Sequence, residues 1–281
     1  MKTVAVIGSG TMGSGIAHVF AIKGFPVTLI DNSENALQKA RKNIENNLDR
    51  QIKKGIIDET LKNSALQNLE LKIGLKNISK DTDLIVEAIF EDKNLKSLLF
   101  SELNNLIKEN SIFASNTSAI SITELSTFSR PENFIGMHFM NPVPIMKLVE
   151  IVKGYSTSLE TIETIKELTL FLDKTPVIVN DFPGFVSNRI LMPMINEAIY
   201  ALMEGVSSAE EIDTVFKLGM NHPMGPLTLA DFIGLDVCLA IMNVLYEGFN
   251  DSKYRACPLL KKMVAAKKLG KKVGEGFYKY E

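Results

Sequence analysis

The chain opens with a strand, a glycine-rich turn and a helix in immediate succession. Four apolar residues, Val4–Ile7, are followed by the string Gly8-Ser9-Gly10-Thr11-Met12-Gly13. Apolar residues then recur at helical spacing up to Lys23, and Gly24 supplies a C-terminal stop. A short strand that is apolar throughout is typical of a parallel sheet covered on both faces. This stretch therefore predicts an α/β fold.

Each glycine of this string has its own physical task. Gly8 permits a tight turn, Gly10 lets the backbone approach a pyrophosphate, and Gly13 lets the helix pack closely on the strand. The N–H groups of Thr11 and Met12 lie at the positive end of the helix dipole, where they can face phosphates. The string therefore predicts a dinucleotide-binding site of the Rossmann type.

An acidic residue follows the second predicted strand, residues 27–30. It is Asp31, which lies 31 − 13 = 18 residues after Gly13. A carboxylate there can accept hydrogen bonds from both ribose hydroxyls of the cofactor. Its charge would repel the 2′-phosphate of NADP and Asn32 brings no compensating cation, so we expect NAD. The alternative is an ordinary glycine turn and a surface aspartate, but strand, helix and acid together favour the cofactor site.

Composition limits the remaining possibilities. A chain of 281 residues with 46% hydrophobic content can form one large or two ordinary globular domains. The net charge of −2 gives no reason to expect binding to nucleic acid or to an anionic membrane. No apolar run approaches the ~20 residues of a membrane span, and the chain enters a strand at once, without room for a cleaved signal. The two cysteines, Cys238 and Cys257, have no metal-ligand spacing, so we expect a cytoplasmic protein with reduced thiols and no metal.

A basic helical hairpin is expected between the second and third strands. Ser33 caps a helix whose apolar residues recur every three or four positions as far as Ile52, and Gly55 ends it. Residues 58–69 form a shorter return helix. The polar face of the long helix carries Lys39, Arg41, Lys42, Arg50, Lys53 and Lys54. This face is either simply solvated or a landing surface for a polyanionic part of the substrate.

Polar residues at the ends of later strands are candidates for the chemistry. Residues 116–118, Asn-Thr-Ser, follow a strong strand, where ligands of open α/β sheets bind, although these residues are also common in turns. His138 ends another strand, and histidine is suited to exchanging a hydroxyl proton near neutral pH. Glu150, on the next strand, could fix its tautomer. The sequence leaves the contact between them open, and favours structural roles for His18 and His222.

A domain boundary is predicted at residues 181–184, Asp-Phe-Pro-Gly, where proline and glycine interrupt the pattern. Beyond this boundary the sequence pattern predicts helices, over residues 185–204, 208–218, 226–247 and 258–269. The first of these helices is apolar around much of its circumference and must be covered by its own domain or by a partner subunit. We expect a Rossmann-type domain with a helical-hairpin insertion over residues 1–183, an all-α domain over 184–281, and a homodimer.

Several segments together resemble the L-3-hydroxyacyl-CoA dehydrogenase family, nearly from end to end. The most specific is His138-Phe139-Met140-Asn141-Pro142-Val143-Pro144. The others are residues 8–13, 87–91, 115–118, 148–150, 183–189 and 274–278. The resemblance implies NAD-dependent, reversible oxidation of (S)-3-hydroxyacyl-CoA to 3-oxoacyl-CoA, with 3-hydroxybutyryl-CoA as the expected substrate.

The resemblance also implies roles for individual residues. His138 would be the general acid–base and Glu150 its orienting partner, while Ser118 and Asn188 would hold the substrate's C3 oxygen and nearby groups. The residues implied near the nicotinamide and ribose are Glu91, Lys96, Ser118, Asn141 and Lys272, and Lys96 would also approach the substrate. Lys54 matches a lysine that binds the CoA portion, which strengthens the landing-surface interpretation. Asn47 stands where the family often has a serine toward CoA, which puts that contact in doubt.

Two other functions remain at this stage. One is a related two-domain dehydrogenase that acts on a small hydroxy acid without CoA. The other is a catalytically silent dinucleotide-binding or structural protein, against which the presence of both His138 and Glu150 argues.

Overall fold

The computed structural model describes residues 1–280 and contains two compact units. The first comprises Met1–Asp181 and the second begins at Phe182. No single helix within residues 1–280 is long and apolar enough to cross a membrane, and only one bent pair in the second unit reaches that length together.

The first unit is built on one eight-stranded sheet in the order β3-β2-β1-β4-β5-β6-β7-β8. The strands are β1 Val4–Ile7, β2 Val27–Asp31, β3 Leu69–Ile73, β4 Leu84–Glu87, β5 Ile112–Ser115, β6 Phe134–Phe139, β7 Leu148–Lys153 and β8 Thr175–Asn180. All neighbours are parallel except β6 and β7, which are antiparallel. The strand order reverses direction between β1 and β4, and ligands of open sheets bind at such a switch point.

Six helices connect these strands. They are α1 Thr11–Ile22, α2 Glu34–Lys53, α3 Glu59–Gln67, α4 Lys93–Leu106, α5 Ile122–Ser126 and α6 Leu159–Phe171. All four residues of β1 are buried, and Val4 and Val6 pack with the middle of α1 in the main core of this unit. Every residue of β1 is apolar because both faces of the sheet are buried at this strand.

The predicted hairpin is confirmed in α2 and α3. The Ser33 hydroxyl accepts the Ala36 N–H at 3.3 Å, and the Asp58 carboxylate accepts the Leu61 N–H at 2.7 Å, so each helix begins at a side-chain cap. One stripe of α2 is buried against the sheet side, namely Leu37, Ala40, Ile44 and Leu48. The basic residues occupy the other face, as the apolar spacing predicts.

The second unit is helical, as predicted, with its own apolar core. Its helices are α7 Ser187–Met203, α8 Ala209–Thr214, α9 Pro226–Ile233, α10 Leu235–Phe249 and α11 Pro258–Ala265. The helix α7 starts later than predicted because Phe185 has a left-handed backbone with φ of 51°. After α8 the chain continues as a π-helical turn over Val215–Gly219 rather than as α-helix.

The expectation of one helix over residues 226–247 is wrong. The chain bends by 97° between α9 and α10. Gly234 lies at the bend with φ of 103°, a conformation that other residues rarely adopt and that no α-helix continues through. Apolar periodicity on both sides of this glycine concealed the break.

Candidate active site

His138 and Glu150 lie directly opposite each other on β6 and β7. Opposed residues of an antiparallel pair point to the same face of the sheet, so their side chains can meet. The Nδ1 atom of His138 lies 2.8 Å from Oε2 of Glu150, and both residues are buried. A carboxylate accepts a hydrogen bond here, which assigns the proton of this contact to Nδ1 and makes Nε2 the nitrogen that exchanges a proton with substrate.

The glycine turn after β1 has the geometry that a dinucleotide requires. Gly8 has φ of 97°, and a Cβ atom there would lie 2.5 Å from the Ala88 carbonyl oxygen. A Cβ on Gly13 would lie 1.7 Å from the Gly8 carbonyl oxygen, so only glycine allows this close approach of helix and strand. A Cβ on Gly10 would meet no atom within 4 Å, which leaves the backbone open on that side. These three environments fit the tight turn, helix packing and pyrophosphate approach of the motif.

The helix α1 begins at Thr11 immediately after this turn. Gly10 occupies its N-cap position and provides no side-chain hydrogen bond. The first-turn N–H groups, including those of Thr11 and Met12, are therefore left to a ligand or solvent in the described part of the chain. Such N–H groups bind anions.

Asp31 is held in place by the glycine turn. Its Oδ2 atom accepts hydrogen bonds from both the backbone N–H and the hydroxyl of Ser9, each at 2.8 Å. Its Oδ1 atom accepts the Ser33 N–H at 3.0 Å. Burial raises the pKa of this carboxyl, but the bonds from Ser9 and Ser33 outweigh burial and hold the pKa below its ordinary value. The end of β2 thus presents a fixed, ionised acid beside the turn.

A buried ion pair lies where β4 ends. The Glu87 carboxylate contacts the Lys96 ammonium, and neither side chain is more than 1% exposed. Glu87 also accepts the Ile89 N–H at 2.8 Å and the Ser115 hydroxyl at 2.5 Å. Burial raises the pKa of the Glu87 carboxyl, and the charge and hydrogen bonds of Lys96 oppose that rise. Sequence reasoning singled out Lys96 but gave no role to Glu87.

Glu91 connects this pair to the residues that follow β5. Its Oε2 atom lies 3.2 Å from the Lys96 ammonium. Its Oε1 atom accepts the Ser118 N–H at 2.8 Å and the Thr117 hydroxyl. Asn116 reaches the neighbouring strand, where its Oδ1 atom accepts the Phe139 N–H at 3.0 Å. Side-chain hydrogen bonds thus link the segment after β4 to the segment after β5, and the segment after β5 to the last residue of β6.

The other predicted residues lie in different places. Asn141 is exposed and precedes Pro142 through a cis peptide bond, just after β6. Lys54 is exposed at the C-terminal end of α2, and the Asn47 side chain, about two helical turns earlier, accepts a hydrogen bond from Arg50 at 3.2 Å.

Two predicted residues belong to the second unit. Asn188 is buried in the first turn of α7, where its N–H donates to the Gly184 carbonyl at 3.1 Å. Lys272 is exposed and forms an ion pair with Asp236, with Nζ 2.5 and 2.7 Å from the two carboxylate oxygens.

Comparison with known proteins decides the family. The model of the 3-hydroxyacyl-CoA dehydrogenase NAD-binding domain matches residues 3–182, and the model of the family's C-terminal domain matches residues 184–280. The chain belongs to the 3-hydroxyacyl-CoA dehydrogenase family. Its activity is that of an oxidoreductase acting on a CH–OH group.

Similar proteins of this family cover nearly the whole chain. A protein of Deinococcus radiodurans named "Probable 3-hydroxybutyryl-CoA dehydrogenase" is 55% identical over 276 residues, 98% of this chain and 99% of that protein. The 3-hydroxybutyryl-CoA dehydrogenase of Bradyrhizobium diazoefficiens is 51% identical and covers 100% of this chain and 96% of its own. The crystal structure of (S)-3-hydroxybutyryl-CoA dehydrogenase from Ralstonia eutropha matches with a TM-score of 0.96 and 48% identity, over 100% and 99% of the two chains.

The remaining histidines of this dehydrogenase-family chain have structural surroundings. His18 is buried in α1 beside Gln51, and burial lowers its pKa to about 4. His222 packs its ring edge-on against Phe216 at 5.4 Å between centroids. Within residues 1–280, no group of three or more His, Cys, Asp or Glu side chains is placed to hold a metal ion.

Proposed function

We propose that this member of the family catalyses the NAD-dependent, reversible oxidation of (S)-3-hydroxybutyryl-CoA to acetoacetyl-CoA. The observation that carries the proposal is the His138–Glu150 contact at 2.8 Å, on a sheet whose glycine turn fits a dinucleotide. The names of the similar proteins supply the substrate class.

His138 is the general acid–base of the proposed reaction. During oxidation its Nε2 atom takes the proton of the substrate's C3 hydroxyl, and during reduction it returns that proton to the C3 oxygen. Bound NAD⁺ supplies the acceptor for the hydride that leaves C3. A positioned histidine contributes on the order of 10²–10⁴ to the rate of such a step.

Glu150 makes this proton transfer favourable in two ways. Its hydrogen bond keeps the proton on Nδ1, so that Nε2 has the lone pair needed for a base. Its negative charge stabilises the imidazolium that forms when His138 takes up the substrate proton.

The roles of the other residues remain proposals of the same kind. Ser118 and Asn188 hold the C3 oxygen and neighbouring substrate groups. Glu91, Lys96, Asn141 and Lys272 line the cofactor position with Gly8, Gly10, Thr11, Met12, Gly13 and Asp31. Lys54 receives the CoA phosphates, with Asn47 nearby on the same helix. We assign cofactor binding to residues 1–183, and substrate binding and dimerisation to residues 184–281.

We infer a preference for NAD over NADP from Asp31. The carboxylate is ionised and fixed by Ser9 and Ser33, so it cannot turn away from a bound ribose without losing those bonds. A 2′-phosphate placed there would meet a negative charge, and the next residue, Asn32, brings no compensating cation.

A homodimer and a cytoplasmic location complete the proposal. The apolar residue Ile190 on α7 is 66% exposed. Exposed apolar surface on a largely apolar helix supports burial of this face against a second subunit. Cys238 and Cys257 are both unpaired and buried, a state suited to a reducing compartment.

Steady-state reduction of acetoacetyl-CoA, measured with NADH and with NADPH, tests the proposal. We expect rapid turnover with NADH, a higher KM for NADPH, and little turnover of free acetoacetate. Faster reduction of free acetoacetate than of its CoA thioester would replace the proposal by a dehydrogenase of small hydroxy acids. Extending the series from C4 to C10 3-oxoacyl-CoA measures the chain-length preference.

A further inference from the structure

Glu87 occupies an unusual position for a charged residue. It ends β4 in the middle of the sheet, paired in register with Ile7 of β1 and Ser115 of β5. Its exposed fraction is 0%. A carboxylate buried among apolar strands costs free energy unless ionic and hydrogen-bonding partners surround it.

Both oxygens of the Glu87 carboxylate have such partners. The Lys96 ammonium pairs with Oε1, which also accepts the Ile89 N–H, while Oε2 accepts the Ser115 hydroxyl. Lys96 is itself only 1% exposed, so both charges of the pair are removed from solvent. Moving either side chain alone would leave a buried charge without its partner, which is costly.

Lys96 passes this constraint on to Glu91 and the loop after β5. The ammonium lies between two carboxylates, with Glu91 Oε2 at 3.2 Å, and also 3.4 Å from the Ile89 carbonyl oxygen. The other oxygen of Glu91 holds the Ser118 N–H at 2.8 Å. An unbroken series of contacts thus runs from Glu87 through Lys96 and Glu91 to Ser118.

We propose that Glu87 is a positioning residue of the reaction, which fixes Lys96 and, through Glu91, the loop that carries Ser118. The inference rests on the proposed function, in which Glu91 and Ser118 contact cofactor or substrate. Glu87 is fully buried and its carboxylate oxygens are held by Lys96, Ile89 and Ser115, so it acts on the site only through these neighbours.

The opposite end of β4 shows what an ion pair without this role looks like. Asp83 precedes the strand and pairs with Lys108 at 2.5 Å, with side chains 26% and 33% exposed. It also accepts the N–H groups of Lys2 and Thr3, which ties the chain start to the sheet. This pair lies at the amino ends of the parallel strands, away from the edge where ligands bind. Asp83→Asn is therefore a matched control for Glu87→Gln.

The experiment compares Glu87→Gln with Asp83→Asn in the full chain. Glu87→Gln keeps the side-chain shape and removes the charge that faces Lys96. We expect its kcat for acetoacetyl-CoA to fall and its Kd for NADH, measured by fluorescence, to rise, each on the order of tenfold or more, as for other residues that orient site ligands. Asp83→Asn should lower Tm while kcat and Kd stay within twofold of the wild type.

A double-variant cycle with Lys96→Met shows whether Glu87 acts through Lys96. We expect Glu87→Gln to change kcat and Kd by less than threefold when Lys96→Met is already present, because the residue it positions is gone. Equal effects of Glu87→Gln in both backgrounds would overturn the proposal, as would values within twofold of the wild type in the single variant. If Glu87→Gln alone does not fold, the comparison of Lys96→Met with the double variant makes the same decision.

The loop end of the series has its own test. Thr117→Val removes the hydroxyl that donates to Glu91 and keeps the side-chain volume, so we expect a fall in kcat with little change in Kd for NADH. An unchanged kcat would overturn the link to Ser118. Failure of the proposed function is distinguishable, because the wild type would then not reduce acetoacetyl-CoA while the NADH-binding measurements would still decide the role of Glu87.

Discussion

Two histidines of the first unit, His138 and His18, are buried, but the side chains that contact their rings differ. The ring of His18 has the neutral amide of Gln51 beside it, with Nε2 to Nε2 at 3.4 Å, and Lys174 disfavours its charged form further. His138 has a carboxylate at 2.8 Å. An anion beside the ring stabilises the imidazolium, whereas at His18 burial outweighs the hydrogen bond with the Gln51 amide and favours the neutral ring. Only His138 is therefore equipped to take up a proton during turnover.

Substitution of the two paired residues should reduce the chemical step and leave cofactor binding intact. We expect His138→Gln to lower kcat on the order of 10²–10⁴-fold, since the general base is lost. Glu150→Gln should lower kcat on the order of tenfold or more and change the pH–rate profile, because the carboxylate that orients the ring and stabilises the imidazolium is gone. NADH fluorescence and thermal unfolding serve as controls. Near-normal turnover of His138→Gln, or an unchanged profile and rate of Glu150→Gln, would contradict the assignment.

At the scale of whole elements, the helical hairpin is the part of the fold with a separable task. Its long helix buries one apolar stripe and leaves a basic face outside, which ends at Lys54. The apolar stripe packs α2 on the first unit, and the basic residues lie outside that stripe, where Arg41 pairs with Glu45 and Arg50 donates to Asn47. Their concentration on one face suits a ligand with several phosphates.

Charge reversal at the end of this helix should weaken binding of the CoA substrate alone. We expect Lys54→Glu to raise KM for acetoacetyl-CoA about fivefold or more, equivalent to about 1 kcal/mol, with kcat and KM for NADH unchanged. Lys39→Glu makes the same change on the same face, fifteen residues or about 22 Å earlier along the helix, and should have a much smaller effect. Equal effects of the two variants would indicate a general field rather than a CoA site at Lys54.

Elements were predictable from the sequence where their signals are local. The caps Ser33 and Asp58 and the apolar spacing of α2 lie within the hairpin itself, so its position was correctly predicted. The break at Gly234 was missed because one glycine within a long apolar pattern is compatible with a continuous helix. The role of Glu87 was missed for another reason. Its partner Lys96 lies on the following helix α4, and Ser115 is 28 residues away in sequence and is brought to it by the pairing of β4 with β5.

Site residues divide in the same way. The glycine turn and Asp31 were predictable because both lie within the first 31 residues at a characteristic spacing. The structure adds Ser9 as the donor that fixes the Asp31 carboxylate. The contact of His138 with Glu150 was left open by the sequence, because it depends on the register of two strands joined by an eight-residue loop. Register follows from the burial of both strands and cannot be read from the two residues alone.

Across the whole molecule, His18 should contribute to loss of stability in acid. Burial lowers its pKa to about 4 from 6.5, so the folded chain binds fewer protons than the unfolded chain between those two values. The free energy of unfolding therefore rises with pH through this window and falls as pH drops from 6.5 to 4. We expect urea unfolding of His18→Asn to depend less on pH over this window than that of the wild type. An identical slope for both proteins would contradict the assignment.

The hairpin of β6 and β7 has a consequence for which changes the chain tolerates. Successive side chains along a strand point to opposite faces of the sheet. Deleting or inserting one residue within either strand would therefore turn His138 and Glu150 to opposite faces. The alternation of faces does not apply to the segment that joins the strands, residues 140–147. Insertions there are compatible with an intact pair, whereas a single deletion inside either strand would separate base and carboxylate without removing either one.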